Sequence, residues 1–187
     1  MPTNQIPAVA LPPILAMLDP NFAERVQAIM NALQDRGLVS WIVSGLRTPE
    51  EQARIYAVGR GEPGKPFSIS GLTVTAPLKS EHPEWSIITK APPFMSAHQW
   101  GLAVDFGWII NGKKVFDTPD QNVWKTLYAI AQTQNSEDIA KSVPFDKAHI
   151  QSKAWHSIQA NIEKYKQIYL QSGIAAVYTM LESQTVV

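Results

Sequence analysis

Apolar residues recur at helical spacing early in the chain, where Phe22, Val26, Ile29, Met30 and Leu33 fall on one face of an α-helix. Asp19-Pro20-Asn21 supplies its start signal and Gly37 its stop. Leu38 to Ser44 (LVSWIVS) is a β-rich run that predicts a strand, and Gly45-Leu46-Arg47 turns out of it. Thr48 then stands as an N-cap, with Pro49 in the first helical position and Glu51 three residues after the cap. This capping box satisfies amide groups that a helix start otherwise leaves unpaired. The helix it opens is predicted to run through Gln52 and Tyr56 to about Gly59.

From Arg60 to Met95 periodicity gives way to Gly, Pro, Ser and Thr punctuation, within which Leu72 to Ala76 reads as a short strand. A connection of this length points to a functional loop. At Gly101 alternation returns: Leu102, Val104 and Phe106 alternate with Ala103, Asp105 and Gly107, the period-2 mark of a half-buried strand. Asn111-Gly112 predicts a tight hairpin turn into Lys113 to Phe116. Thr118-Pro119-Asp120-Gln121 repeats the capping-box pattern, with Thr118 at the cap, and opens a helix carrying Val123, Trp124, Leu127, Tyr128 and Ile130. Val143 to Gln151 reads as extended. A last helix is predicted from about Ala154 to Gln171, with Gly173 as its break and a shorter helical tail behind. No internal repeat or linker divides the pattern, which is that of one domain over 1–187.

The 187 residues carry 16 basic and 16 acidic side chains, so no net field directs the chain to nucleic acid or an anionic membrane. There is no cysteine, which removes disulfides, thiolate metal sites and a cysteine nucleophile together. Any metal must therefore sit on His, Asp or Glu. The first residues, MPTNQIPAVALPPILAMLDP, lack a basic leader region, and their apolar run is cut by prolines and too short to span a bilayer. The expectation is synthesis in the cytoplasm without a signal peptide, no membrane insertion, and a monomer.

Four histidines are present: His82, His98, His149 and His156. His98 falls in a turn just before the strand that carries Asp105, and Ala103 and Gly107 leave room beside that carboxylate for a ligand. Imidazole nitrogen and carboxylate oxygen are ligands that zinc accepts. A loop-capping histidine and a buried, hydrogen-bonded aspartate satisfy the same spacing. Around Phe145-Asp146-Lys147-Ala148-His149-Ile150-Gln151, His149 and Gln151 share one face of an extended segment while Ile150 points to the core. His149 would complete a three-ligand site with Asp146 near its open position; a surface turn and an edge-strand histidine fit equally.

Ser96-x-His98-x-x-Gly101-x-Ala103-x-Asp105 followed by Asp146-x-x-His149 resembles the zinc peptidases that cut peptidoglycan stem peptides, the D-alanyl-D-alanine carboxypeptidase and L-alanyl-D-glutamate peptidase superfamily. Ser44-Gly45-Leu46-Arg47-Thr48-Pro49-Glu50-Glu51-Gln52, with Tyr56 and Gly59-Arg60, resembles the superfamily's arginine block and its following helix. The likeness covers about 38–151, the catalytic core it implies, with C-terminal helices over 154–187. It implies an α+β fold with a small, mainly antiparallel sheet flanked by helices, similar to the hedgehog and D,D-peptidase domains. It also implies one zinc ion held by His98, Asp105 and His149, Asp146 as catalytic base, and Arg47 polarising the scissile carbonyl. Ser96, Gln52 and Trp100 are then expected to support the site or bind substrate.

Trp155-His156 resembles the Trp-His pair of the carboxypeptidase branch, but Lys153 stands where that branch has a glutamate, so the third ligand is assigned to His149. Leu46 replaces the usual aromatic residue, and the 60–95 connection is longer than the superfamily's. His82 within that loop reads as solvated rather than as a ligand. Trp41, Trp124, Tyr128 and Phe106 fall on core-facing positions, whereas Trp100 and Trp108 are candidates to line the groove. The activity implied is zinc-dependent cleavage of a stem-peptide amide bond, with L-alanyl-D-glutamate first. The implied setting is a phage endolysin or wall-cutting toxin reaching the wall through a holin or secretion apparatus. A D,D- or L,D-carboxypeptidase on the same fold and a non-catalytic zinc-stabilised binding module are its rivals.

Overall fold

The computed structural model describes residues 12–118, 120–138 and 146–185. Val143 to Phe145, the start of the second predicted extended segment, lie outside the described residues. Helix α1 spans Pro20–Gln34, and the Asp19 carboxylate accepts the Phe22 amide at 3.0 Å as its N-cap. Its apolar stripe, Phe22, Val26, Ile29 and Leu33, is fully buried, each such side chain contributing roughly 1.5–3 kcal/mol. Strand β1 follows at Ser40–Ser44, two residues shorter than its apolar run. Helix α2 (Pro49–Ala57) begins with the capping box as predicted, with both reciprocal bonds formed between Thr48 and Glu51.

The long connection contains a hairpin, β2 (Pro66–Ile69) and β3 (Leu72–Thr75). Its first strand escapes the sequence pattern because it opens on a proline and alternates only weakly. The hairpin packs on α2 through Tyr56 and Phe67, whose ring centroids lie 6.4 Å apart. Strand β4 (Ala103–Ile110) and β5 (Lys113–Val115) flank the Asn111-Gly112 turn, both of whose residues have positive φ, as a type I′ hairpin turn requires. Helix α3 (Gln121–Thr133), β6 (Ser136–Asp138), β7 (His149–Ser152), α4 (Trp155–Ala160) and α5 (Ile162–Thr185) complete the order.

The structure corrects three expectations. The N-cap of α3 is Asp120, which accepts from the Asn122 amide, while Thr118 instead accepts the Asp120 amide one step outside the helix. The single helix expected after Ala154 is interrupted at Asn161, and the tail beyond Gly173 (φ 76°, ψ −179°) is long enough to bury Val177 and Leu181. Strand β4 is not half-buried. Leu102, Val104, Phe106 and Trp108 pack on one face, and Ala103 and Gly107 on the other are buried as well.

The main sheet runs β1-β4-β7-β6 with β5 also beside β4, and every described pairing is antiparallel. Its core joins α1, α3 and the C-terminal helices in one cluster of buried side chains extending from Leu15 to Leu181. Trp108 and Trp124 meet edge-on at 5.3 Å within it. The central place of β4 gives Asp105 a neighbour on each side: His149 of β7 lies opposite it in one direction and Ser44 of β1 in the other.

Candidate metal centre

Cross-strand neighbours put their side chains on the same face of a sheet, so the Asp105–His149 register brings those two groups together. His149 Nδ1 lies 3.4 Å from Asp105 Oδ1. The third group arrives from a 3-10 turn, Ala97–Trp100, that leads into β4 through Gly101 in a left-handed conformation. His98 Nε2 lies 3.4 Å from Asp105 Oδ2. The candidate ligand atoms of all three residues fall within 4.8 Å of one another. Ligands about 2.0–2.1 Å from a tetrahedral ion stand roughly 3.3 Å apart, so each imidazole nitrogen stands about as far from one oxygen of the Asp105 carboxylate as two ligands of a zinc ion stand from each other.

The tautomers fit as well. His98 Nδ1–H donates to the Gly45 carbonyl at 2.8 Å, which leaves Nε2 as a lone pair facing the cluster. His149 Nε2 faces Gln151 Oε1 at 3.2 Å, which leaves Nδ1 for the cluster. Burial pushes the His98 imidazole toward its neutral form. Burial also disfavours charge on Asp105 and His149, yet the polar contacts within the cluster outweigh it. Against that burial, the attraction of His98 first and then the hydrogen bond from His149 hold Asp105 well below the usual carboxylate range, and the hydrogen bond to Asp105 raises His149 above its ordinary value.

Arg47 and Asp146 flank the cluster. Arg47 Nη2 lies 3.8 Å from Asp105 Oδ2 and donates to Ser44 Oγ at 3.0 Å, while Nη1 donates to Gln52 Oε1 at 2.9 Å. Its backbone amide donates to the His98 carbonyl at 3.1 Å, so the arginine loop and the histidine turn hold each other in place. Asp146 Oδ2 lies 4.0 Å from His149 Nδ1, with the Asp146 side chain 36% exposed. Burial raises its carboxyl above the ordinary value, opposed mainly by His149.

These groups open onto a cleft of about 450 Å³ lined also by Ile88, Lys90, Met95, Phe116 and Trp155. The wall made by 88–91 belongs to the far end of the long connection, and α2 pins it. Gln52, fully buried, donates to the Ala91 carbonyl at 2.7 Å. Arg60 stacks on Tyr56 at 3.8 Å and donates to the Thr89 carbonyl at 2.9 Å. Gly59, at φ +74°, passes so close to the backbone of Ile87 that no side chain fits there.

Of the residues singled out in the sequence, the structure thus gathers His98, Asp105, His149, Asp146 and Arg47 around one cleft. Gln52 lies behind Arg47, and Ser96 lines the wall. Trp100 is not in the groove: it is 1% exposed, donates to the Phe94 carbonyl and packs on Tyr169 beneath the site. Trp108 is likewise buried against Trp124, and Trp155 takes the lining position instead. Gly107 makes room not for a ligand but for the Trp41 indole, its cross-strand partner. Trp124 and Phe106 are core, whereas Trp41 and Tyr128 are half-buried. His82 and His156 stand outside the ligand cluster. Gln151 is a missed member whose signal was visible, since it follows His149 by two on a strand. Glu137, which accepts from Gln151 Nε2 at 2.8 Å, gave none.

A family model for VanY, D-alanyl-D-alanine carboxypeptidase, matches residues 15–169 of this chain. A crystal structure of a vancomycin-resistance D,D-pentapeptidase VanY variant from a VanB-type resistance cassette, in complex with Zn(II), is similar at 18% identity with a TM-score of 0.45. The match covers 87% of this chain and 83% of that one. No curated protein matches the sequence.

Proposed function

The chain belongs to the VanY family of D-alanyl-D-alanine carboxypeptidases, and from that membership we propose that it is a zinc-dependent hydrolase of peptidoglycan stem peptides. The observation that carries the reading is the convergence of His98, Asp105 and His149 on one point, with Asp146 and Arg47 beside it. His98 Nε2, His149 Nδ1 and an Asp105 oxygen would hold one zinc ion. Zinc held there would acidify a water molecule and polarise the substrate carbonyl.

The chain's own residues supply the rest. Asp146, whose carboxyl burial raises, takes a proton from the attacking water and returns it to the leaving amine at the same carboxylate. Arg47, fixed by Ser44 and Gln52, presents its guanidinium to the negative charge that develops on the carbonyl oxygen. Because the donors are positioned before substrate arrives, little reorganisation is needed at the moment of reaction.

For the bond cut, the L-alanyl-D-glutamate amide is the first reading. Its support is Asp146 standing three residues before His149, together with Lys153 in place of a carboxylate before His156. An endopeptidase of that kind would serve in wall lysis, as an endolysin or a wall-cutting toxin does. Removal of a terminal D-alanine is the second reading, favoured by the family's own description and by Lys90 on the cleft wall, a cation suited to a free carboxylate. Mass spectrometry of purified peptidoglycan digested with and without a chelator, then with zinc restored, separates the two. Metal-dependent peptides with a new D-glutamate amino terminus support the first, and loss of D-alanine alone supports the second. Absence of any metal-dependent product overturns hydrolysis and leaves a binding module.

A further inference from the structure

His156 has a side chain 59% exposed, yet it is the outer end of a continuous chain of contacts that leads to a metal ligand. Its Nε2 meets Glu137 Oε1 at 2.7 Å. The same oxygen accepts Gln151 Nε2–H at 2.8 Å, and Gln151 Oε1 faces His149 Nε2 at 3.2 Å. Glu137 and Gln151 are cross-strand partners in the β6–β7 ladder, so this contact is built into the register.

The direction of each hydrogen bond follows from donor chemistry. An ionised carboxylate only accepts, so Gln151 must turn its NH2 toward Glu137 and its carbonyl oxygen toward His149. The imidazole nitrogen facing that carbonyl must then carry the proton. His149 Nδ1, 3.4 Å from Asp105, is then the nitrogen whose lone pair becomes available to a metal once the proton it shares with that carboxylate is displaced. Without Glu137 the buried amide of Gln151 is free to turn over, offering NH2 to His149 and favouring the opposite tautomer.

We propose that Glu137 and Gln151 are positioning residues that lock His149 in its metal-binding tautomer, with His156 clamping Glu137 from the surface. The affinity of the centre for its ion is then set partly from β6 and α4, two elements that contribute no ligand. This inference rests on the zinc-site reading of His98, Asp105 and His149.

The test is zinc affinity, measured on the full chain by competition with a chromogenic chelator. Melting curves of the zinc-free proteins report folding separately. Gln151→Leu is expected to weaken binding by about 10–100-fold, the usual effect of losing a ligand's outer partner. Glu137→Ala, a change at a partly exposed strand position, weakens it in the same way while the zinc-free melting midpoint stays near that of the wild type. The double variant loses no more than Gln151→Leu alone, because both changes act through one N–H. The exchanged pair Gln151→Glu with Glu137→Gln keeps an acceptor on His149 and a donor facing it across the ladder, and restores wild-type binding. His156→Ala weakens binding less than Glu137→Ala; no effect removes the clamp from the proposal. Unchanged affinity in Glu137→Ala, or losses that simply add in the double variant, overturns the relay. Wild-type protein that binds no zinc overturns instead the metal-site reading on which the relay stands.

Discussion

Asp105 and Asp146 share one cleft and are driven in opposite directions. Two facing imidazoles keep Asp105 ionised, which suits a ligand, whereas burial raises Asp146, which suits a group that must accept and release a proton. Asp146→Asn keeps the shape and loses the base, so kcat/KM on a stem-peptide substrate is expected to fall by about 10²–10⁴. Zinc content and melting midpoint should stay near those of the wild type. Unchanged turnover would remove Asp146 from the mechanism. Asp19, outside the cleft, makes a separate prediction. It caps α1 through one oxygen, while the other is buried with no hydrogen-bond partner among the described residues, and burial, with Glu182 adding, raises its carboxyl. A folded-state pKa above the unfolded one means that protonation favours the folded chain. That gain is present in acid and is lost as pH rises through the folded value. Asp19→Asn retains a capping acceptor and carries no charge. Its zinc-free melting midpoint should exceed the wild type's at neutral pH, and the gap should close on acidification; a pH-independent gap would refute the assignment.

At the scale of elements, the site is made by three junctions rather than by three residues. The β4–β7 register sets Asp105 against His149, the turn at Gly101 swings His98 over both, and the reciprocal bonds between 45–47 and His98 fix the arginine loop. Gly101 is the junction most exposed to test. It has φ +63°, and a Cβ there would collide with the Tyr178 hydroxyl of α5 and crowd the Asp19 amide. Left-handed backbone alone costs an alanine about 1–2 kcal/mol. Gly101→Ala should therefore lower stability by at least that in denaturant titration. It should also weaken zinc binding by moving His98, and wild-type stability in that variant would show the turn to be permissive. The motif spacing His98-x-x-Gly101 is legible in sequence because one glycine serves both the turn and its packing. The β2 strand and the break at Asn161 were not legible, since short or interrupted runs leave too few periodic positions to read.

For the molecule as a whole, one core ties the α1 end, the sheet and the C-terminal tail together, with Asp105 and His149 on the middle strands of that sheet and His98 on the turn that leads into one of them. A ligand that binds only the folded chain stabilises all of it. Zinc at about 100 times its dissociation constant contributes roughly 2.7 kcal/mol. At about 2–4 °C per kcal/mol for a chain of this size, chelation should lower the melting midpoint by roughly 5–10 °C, reversibly on adding zinc. No shift in scanning calorimetry would mean that the cluster holds no metal. Among the described residues no helix is long and apolar enough to cross a membrane.

The α+β character followed from the resemblance to the zinc peptidases; from its own pattern the sequence determined the helices with strong start signals, the hairpin at Asn111-Gly112, and the residue types gathered at the site. Each of these depends on interactions between positions a few residues apart, or on chemistry that only certain side chains possess. Where Trp41, Trp100 and Trp108 would face was decided only by the tertiary structure, because amphipathic aromatics suit a core and a groove equally. The tertiary structure also decided that Glu137 stands behind Gln151 and His156 in front of Glu137. Those contacts join β6, β7 and α4 through strand register, and no local pattern along a chain records which residue its neighbour across a sheet will be.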